Sequence, residues 1–132
     1  MKFSERLRNA RLAAIGTTIG GAPLLTIHEG PPPASLDDPD TGPALVAMTL
    51  PEAWLATPAG GMVQMLSEWT HPKAANGGRA GHFRLRSADN STDLQGTVTA
   101  EGELGDMEIE SIDIVRGQTV TVRSFILIDG NA

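Results

Sequence analysis

The sequence predicts a mainly β domain, a β-sandwich or jelly-roll-like fold, carrying a short helical arm at its N-terminus. Three observations carry this. Seven or eight short runs with strand character fall within about a hundred residues after Pro23. Gly and Pro are frequent, 15 and 9 of 132 residues, which favours turns between short strands over long helices. Helical spacing is confined to the first fifteen residues. The division that follows is an arm with a glycine joint over residues 1–22 and a β domain over 23–132. A chain of this length holds one core, and with three Phe, two Trp and no Tyr that core is aliphatic.

The arm reads as a helix over residues 4–15. Ser4 is placed to cap it, and Glu5 sits at its positive end. Phe3, Leu7, Ala10 and Ala14 share one face, with Arg8 and Arg11 flanking the stripe and Arg6 away from it. Gly16 is placed to end the helix, and Thr17 to Gly21 reads as a flexible joint.

Strand periodicity begins after Pro23. Leu24 to His28 is the first candidate. Residues 29–43 form a loop with five prolines and three aspartates, Asp37, Asp38 and Asp40, and its three successive prolines favour an extended path. Leu45 to Leu50 is the second strand, stopped by Pro51. Met62 to Leu66 suits a third strand or a short helix, and Thr70 to Gly81 reads as a Gly/Ala loop. Phe83 and Leu85 alternate with His82, Arg84 and Arg86; a polar turn, Ala88 to Asp93, then leads into Leu94 to Ala100, so the two runs predict a hairpin. Leu104 to Ile114 alternates in part. Thr119 to Asp129 closes the series, with large apolar residues on both sides in its later half, the pattern of a strand covered on both faces.

Charge divides the chain as sharply as periodicity does. Lys2, Arg6, Arg8 and Arg11 oppose Glu5 alone, so the first eleven residues carry +3; the remaining six basic and fifteen acidic residues make the body −9. An acidic body argues against nucleic acid as its partner, because phosphate binding needs clustered Lys and Arg. No apolar run approaches the ~20 residues of a membrane span. Leu12 to Ile27 is too broken by Gly, Thr and Pro for a signal segment, so secretion is not expected and Asn90-Ser91-Thr92 carries no weight as a glycosylation acceptor. The absence of Cys excludes disulfides and thiolate zinc sites.

Catalytic patterns are weak throughout. His28, His71 and His82 lack metal-ligand spacing and read as structural or surface residues. Asp37, Asp38 and Asp40 read as a solvated acidic loop. Asp89, Asn90, Ser91 and Asp93 resemble half of a calcium loop but lack its central Gly and terminal Glu, and read as a turn. There is no G-x-S-x-G, and no Lys follows Gly16 to Gly21 to make a phosphate loop. Glu101, Glu103, Glu108 and Glu110 read as the wet face of a strand. Trp54 and Trp69 offer a sugar-stacking pair or, with so few aromatics, packing anchors. The basic arm remains as the handle on function: a helix packed on its own domain, or one that docks on a neighbouring subunit through Phe3, Arg6, Leu7, Arg8 and Arg11. The Gly joint behind it tilts the reading toward docking.

Four stretches carry a resemblance: the opening SERLRNARLAAIG, the Pro-rich passage PLLTIHEGPPPASLDDPDTGPALVAMTL, then GRAGHFRLRSADNSTDLQGTV, and the closing DMEIESIDIVRGQTVTVRSFILIDGNA. In order and texture they resemble small structural virion proteins of tailed phages and prophages, of the head decoration or cement type. The turn at Ala88 to Asp93 departs from the Asp-Gly turns of that pattern. The resemblance implies a non-enzymatic protein without cofactor or metal, a homotrimer on the capsid surface, made in the host cytoplasm, with the major capsid protein as its partner and neither nucleic acid nor membrane. Alternatives are a neck, tail or fibre-associated component, or a carbohydrate-binding β-sandwich using Trp54 and Trp69.

Overall fold

The computed structural model describes residues 1–129, so the last three residues of the predicted 23–132 domain lie outside the described residues. It contains one helix, α1 (Glu5–Ile19), and nine strands: β1 (Leu24–Glu29), β2 (Val46–Thr49), β3 (Met62–Gln64), β4 (Trp69–His71), β5 (Gly78–Arg86), β6 (Thr92–Ala100), β7 (Met107–Ile109), β8 (Asp113–Ile114) and β9 (Val120–Ile128). The fold is mainly β with an N-terminal helix, as the sequence predicts.

The strands form one sheet in the order β2-β1-β5-β6-β7-β9-β3, with β4 also on β9 and β8 on β5. It curls into a half-barrel whose flanks face each other across the core. All pairings are antiparallel except β6 with β7, which run parallel. The hairpin β5–β6 forms in the expected place, its turn closed by Asn90 at φ 71°, a left-handed conformation that Asn tolerates. The short edge strand β3 is covered by the segment before it, where the Ala56 N–H donates to the Gln64 carbonyl at 2.8 Å.

Alternation sets the core. Leu25, Ile27, Phe83, Leu85, Val98, Met107, Ile109, Val122 and Phe125 point inward and are buried. Phe125 is the hub of the aromatics, with ring centroids 5.5 Å from Trp69, 5.7 Å from Phe83 and 6.3 Å from Trp54. At about 25 cal/mol per Å2 of apolar surface, these large rings are the densest source of stabilisation in an aliphatic core.

Three local expectations are corrected. The helix does not end at Gly16; it continues through Thr17 and Thr18 to Ile19. Ile19 is 5 % exposed and joins the core, and that burial outweighs the poor helix propensity of the Thr-Thr-Ile run. Gly16 lies inside the helix beside Leu55, where a Cβ would make only an ordinary contact of 3.5 Å with Leu55 Cδ1. The helix stops at Gly20, φ 85°, whose N–H returns to the Gly16 carbonyl. The flexible joint over Thr17 to Gly21 is therefore mostly helix. Of Met62 to Leu66, Met62–Gln64 forms strand and Met65 only a bridge to Leu55, and the expected loop from Thr70 to Gly81 carries β4 at one end and the start of β5 at the other.

Candidate functional site

The helix lies against the body. Ser4 Oγ accepts the Leu7 N–H at 3.1 Å and starts it. Leu12 and Ile19 then seat it on the core at 3 % and 5 % exposure. Four side chains fasten its first turns. The Glu5 carboxylate accepts the Gly60 N–H at 3.0 Å, and Asn9 Oδ1 accepts the Gly61 N–H at 2.9 Å. Arg8 Nη1 donates to the Asp129 carbonyl at 3.2 Å. Arg11 donates through Nε and Nη2 to both carboxylate oxygens of Asp129, at 2.6 and 2.5 Å. The Arg11 guanidinium also stands 4.7 Å above the Phe3 ring.

The five predicted docking residues are thereby divided. Arg8 and Arg11 are engaged with their own domain, the attraction expected between a +3 segment and an acidic body. Phe3 lies half-buried beneath Arg11. Arg6 and Leu7 are exposed. At about 100° per residue, Leu7, Ala10 and Ala14 fall on the side opposite Leu12 and Ile19, and all three are exposed. The apolar stripe read from the sequence is therefore the outward face of the helix, while the packed face runs through Asn9, Leu12 and Ile19.

A second feature sits on the outer face of β1 and β5. There the polar partners of the core residues are as buried as the core: Thr26, His28, His82 and Arg84 are each at most 4 % exposed. Their cover is the Pro-rich loop of residues 30–43. His82 and Gly30 are joined through Nδ1 and the Gly30 carbonyl at 2.9 Å. Gln95 Nε2 donates to the Pro33 carbonyl at 2.7 Å. Arg84 Nη2 donates to the Leu36 carbonyl at 2.9 Å, and its Nη1 donates to the Asp38 carbonyl at 2.9 Å and to Asp40 Oδ1 at 2.8 Å. Arg86 Nη2 reaches the same Asp40 oxygen at 2.5 Å. The loop read as solvated acid is thus a strap tied to a buried basic row. Burial alone would raise the Asp40 carboxyl; the hydrogen bonds from Arg86 and Arg84 outweigh it and hold the group below the ordinary carboxylate value.

His28 and His82 are direct cross-strand partners in the β1–β5 register. Their rings stack at 5.0 Å with 9° between planes. His28 Nε2 is 3.0 Å from Thr26 Oγ1. Burial pushes the His28 imidazole below its ordinary value; the Asp40 charge opposes this and His82 adds to it. His71 stands apart on β4. Among the described residues, no three His, Asp or Glu side chains come together as metal ligands.

The remaining candidates resolve into structure. Asp89 accepts the Ser87 hydroxyl at 2.5 Å and the Ser91 N–H at 3.1 Å, so it closes the β5–β6 turn. Glu110 pairs with Arg123, and Glu108 accepts the Leu104 N–H. Trp54 and Trp69 are 3 % and 2 % exposed and pack 6.2 Å apart, which leaves neither ring a face on which a sugar could stack. Exposed apolar side chains instead gather on the outer face of β3 and β9, where Met62 lies opposite Ile128, and Ile126 shares the face two residues before it. No helix among the described residues is long and apolar enough to cross a membrane. No known protein family, curated protein or solved structure matches the chain.

Proposed function

We propose that this chain is a non-enzymatic structural protein of a phage particle, a jelly-roll-like head decoration protein that packs on the major capsid protein and reinforces the shell. One observation carries the reading: a helix clamped to the body by polar contacts turns its apolar stripe, Leu7 with Ala10 and Ala14, away from that body. A pre-ordered outward face loses little conformational entropy on docking, which suits a permanent contact. The sequence resemblance to virion proteins supports the same assignment. Arg6 and Leu7 meet the partner directly, while Arg8 and Arg11 hold the helix in place through Asp129. On this reading copies of the chain meet on the Met62, Ile126 and Ile128 face, as a homotrimer.

The test is occupancy on particles. Capsids lacking the protein are incubated with wild type, Leu7→Asp and Arg6→Glu, and bound copies are counted by cryo-electron microscopy. Wild type is expected at hundreds of copies on the lattice. The two variants fold normally, because surface changes of this kind stay within about 0.5 kcal/mol, and bind poorly. Full occupancy by Leu7→Asp would sink the docking face. A handful of copies at the neck, tail or fibres would move the protein to that site.

A further inference from the structure

We infer that His28, stacked on its cross-strand partner His82, is an acid-sensitive clasp: protonation of the buried His28 ring releases the strap of residues 30–43 from the outer face of β1 and β5 while the core stays folded. The geometry makes the pair intolerant of charge. Both rings are at most 1 % exposed, so neither added proton reaches water. With Nδ1 of His82 donating to the Gly30 carbonyl, its buried Nε2 has no hydrogen-bond partner. Nδ1 of His28 is likewise buried without a well-aligned partner among the described residues, while the backbone of Gly42 and Pro43 bears on the ring and favours its charged form. A proton added to His28 is held in a site closed to water, where Asp40 and the backbone of Gly42 and Pro43 favour the cation but burial outweighs them. The His28 cation would stand against the His82 ring, with 5.0 Å between centroids.

The surroundings offset that charge only in part, because burial outweighs Asp40 and the backbone of Gly42 and Pro43. On β5, Arg84 and Arg86 point to the same side as His82. On β1, Thr26 is neutral, and the carboxylate of Glu29 is engaged with the Arg79 N–H. From β6 come Gln95 and Thr97, both neutral, and β2 carries no charged residue. The strap supplies Asp40, already shared by both arginines, and Asp38, whose carboxylate accepts the Ser35 N–H; Asp37 is exposed. Two fixed positive charges thus face one close carboxylate before any histidine is protonated.

The response falls on the strap because the clasp touches it directly. His82 bonds the carbonyl of Gly30, the strap's first residue, and Gly81 allows the backbone of Gly30 to lie against β5 where a Cβ would collide with it. The other face of these strands is the apolar core, which contains no titratable group near the pair. Burial also sets the direction, favouring neutral His28 in the closed state.

The experiment is hydrogen exchange with mass spectrometry on the full chain between about pH 7.5 and pH 5, with times corrected for the intrinsic pH dependence of exchange. Peptides covering 30–43 are expected to lose protection at least tenfold in acid while β5 and β9 keep theirs. The double variant His28→Gln/His82→Asn, which retains amide groups near the Nε2 and Nδ1 positions, is expected to show no such loss. Constant protection in the wild type overturns the proposal, as does an equal loss in the variant or simultaneous loss across the core. If the variant fails to fold, imidazole NMR titration of the wild type decides. Strap opening must share its midpoint with protonation of His28, and opening while that ring remains neutral refutes the clasp.

Discussion

Replacing Asp40 by Ala removes the one carboxylate that serves a side chain almost wholly withdrawn from water. Arg84 is 1 % exposed, and among the described residues Asp40 Oδ1 at 2.8 Å is its only close charge partner. Breaking a buried pair from one side costs about 3–5 kcal/mol, because the remaining charge is stranded. Here the carbonyls of Leu36 and Asp38 still accept from the guanidinium, and Arg86, at 21 % exposure, can turn toward solvent. Both facts place the cost at the lower end, about 3 kcal/mol. Against a total stability of roughly 5–15 kcal/mol, that is a large fraction, and for a domain of this size it corresponds to a fall in melting temperature of roughly 10 °C. The assay is urea denaturation at pH 7, repeated in an Arg84→Met background. With the buried charge gone, the same Asp40→Ala change is expected to cost under about 1 kcal/mol, giving a coupling of roughly 2 kcal/mol between the two positions. Equal costs in the two backgrounds would refute the argument that Asp40 matters as the counterion of Arg84.

Stability should fall in two separate acid windows. His28 is depressed in the folded state, so its contribution is complete above the ordinary histidine value of about 6.5 and is lost as pH falls through its lower folded value. Asp40 is also depressed, so its share is complete above about 3.9 and is lost only below that. Urea midpoints across pH should show the first loss abolished by His28→Gln and the second by Asp40→Ala. Leu12→Ala should cost about 2–4 kcal/mol by denaturation, since Leu12 is 3 % exposed beneath the helix. Arg11→Ala should cost under about 1 kcal/mol, because the Arg11 side chain is 48 % exposed, yet speed hydrogen exchange over the first turns of α1.

Strand positions were legible because alternation is local. Phe83 and Leu85 announce one face of β5, and His82, Arg84 and Arg86 the other. What alternation does not report is the cover. The polar row reads as a wet face, and it becomes dry only because a loop some fifty residues earlier folds over it. The pairing of His28 with His82 depends on the β1–β5 register, which no short window contains. A signal was nonetheless present. Two arginines on one strand face need counter-charge, and Asp40 lies in a Pro-rich segment too stiff to be an idle linker. β4 escaped because three residues between Ser-Glu and Pro carry too little pattern, although Trp69 at its head proves to be a core anchor.

The helix shows the opposite failure. Its pattern was visible, but the reading that packs this stripe on the chain's own domain is not the one the structure adopts, since Leu7, Ala10 and Ala14 are exposed. An apolar stripe on an amphipathic helix ordinarily faces the core, and here Phe3, Leu7, Ala10 and Ala14 compete with a second set, Leu12, Ile15 and Ile19, that appears only when the helix is allowed past Gly16. The longer set contains the larger side chains and wins the core, so the shorter stripe is turned outward. That outcome changes how docking must be probed. Removing residues 1–16 would strip Leu12 from the core together with Leu7 from the surface, so loss of binding by the truncated chain would report instability as readily as a missing contact. Only a change confined to the outward face, such as Leu7→Asp, separates the two, because the clamp formed by Glu5, Arg8, Asn9 and Arg11 remains in place on Gly60, Gly61 and Asp129.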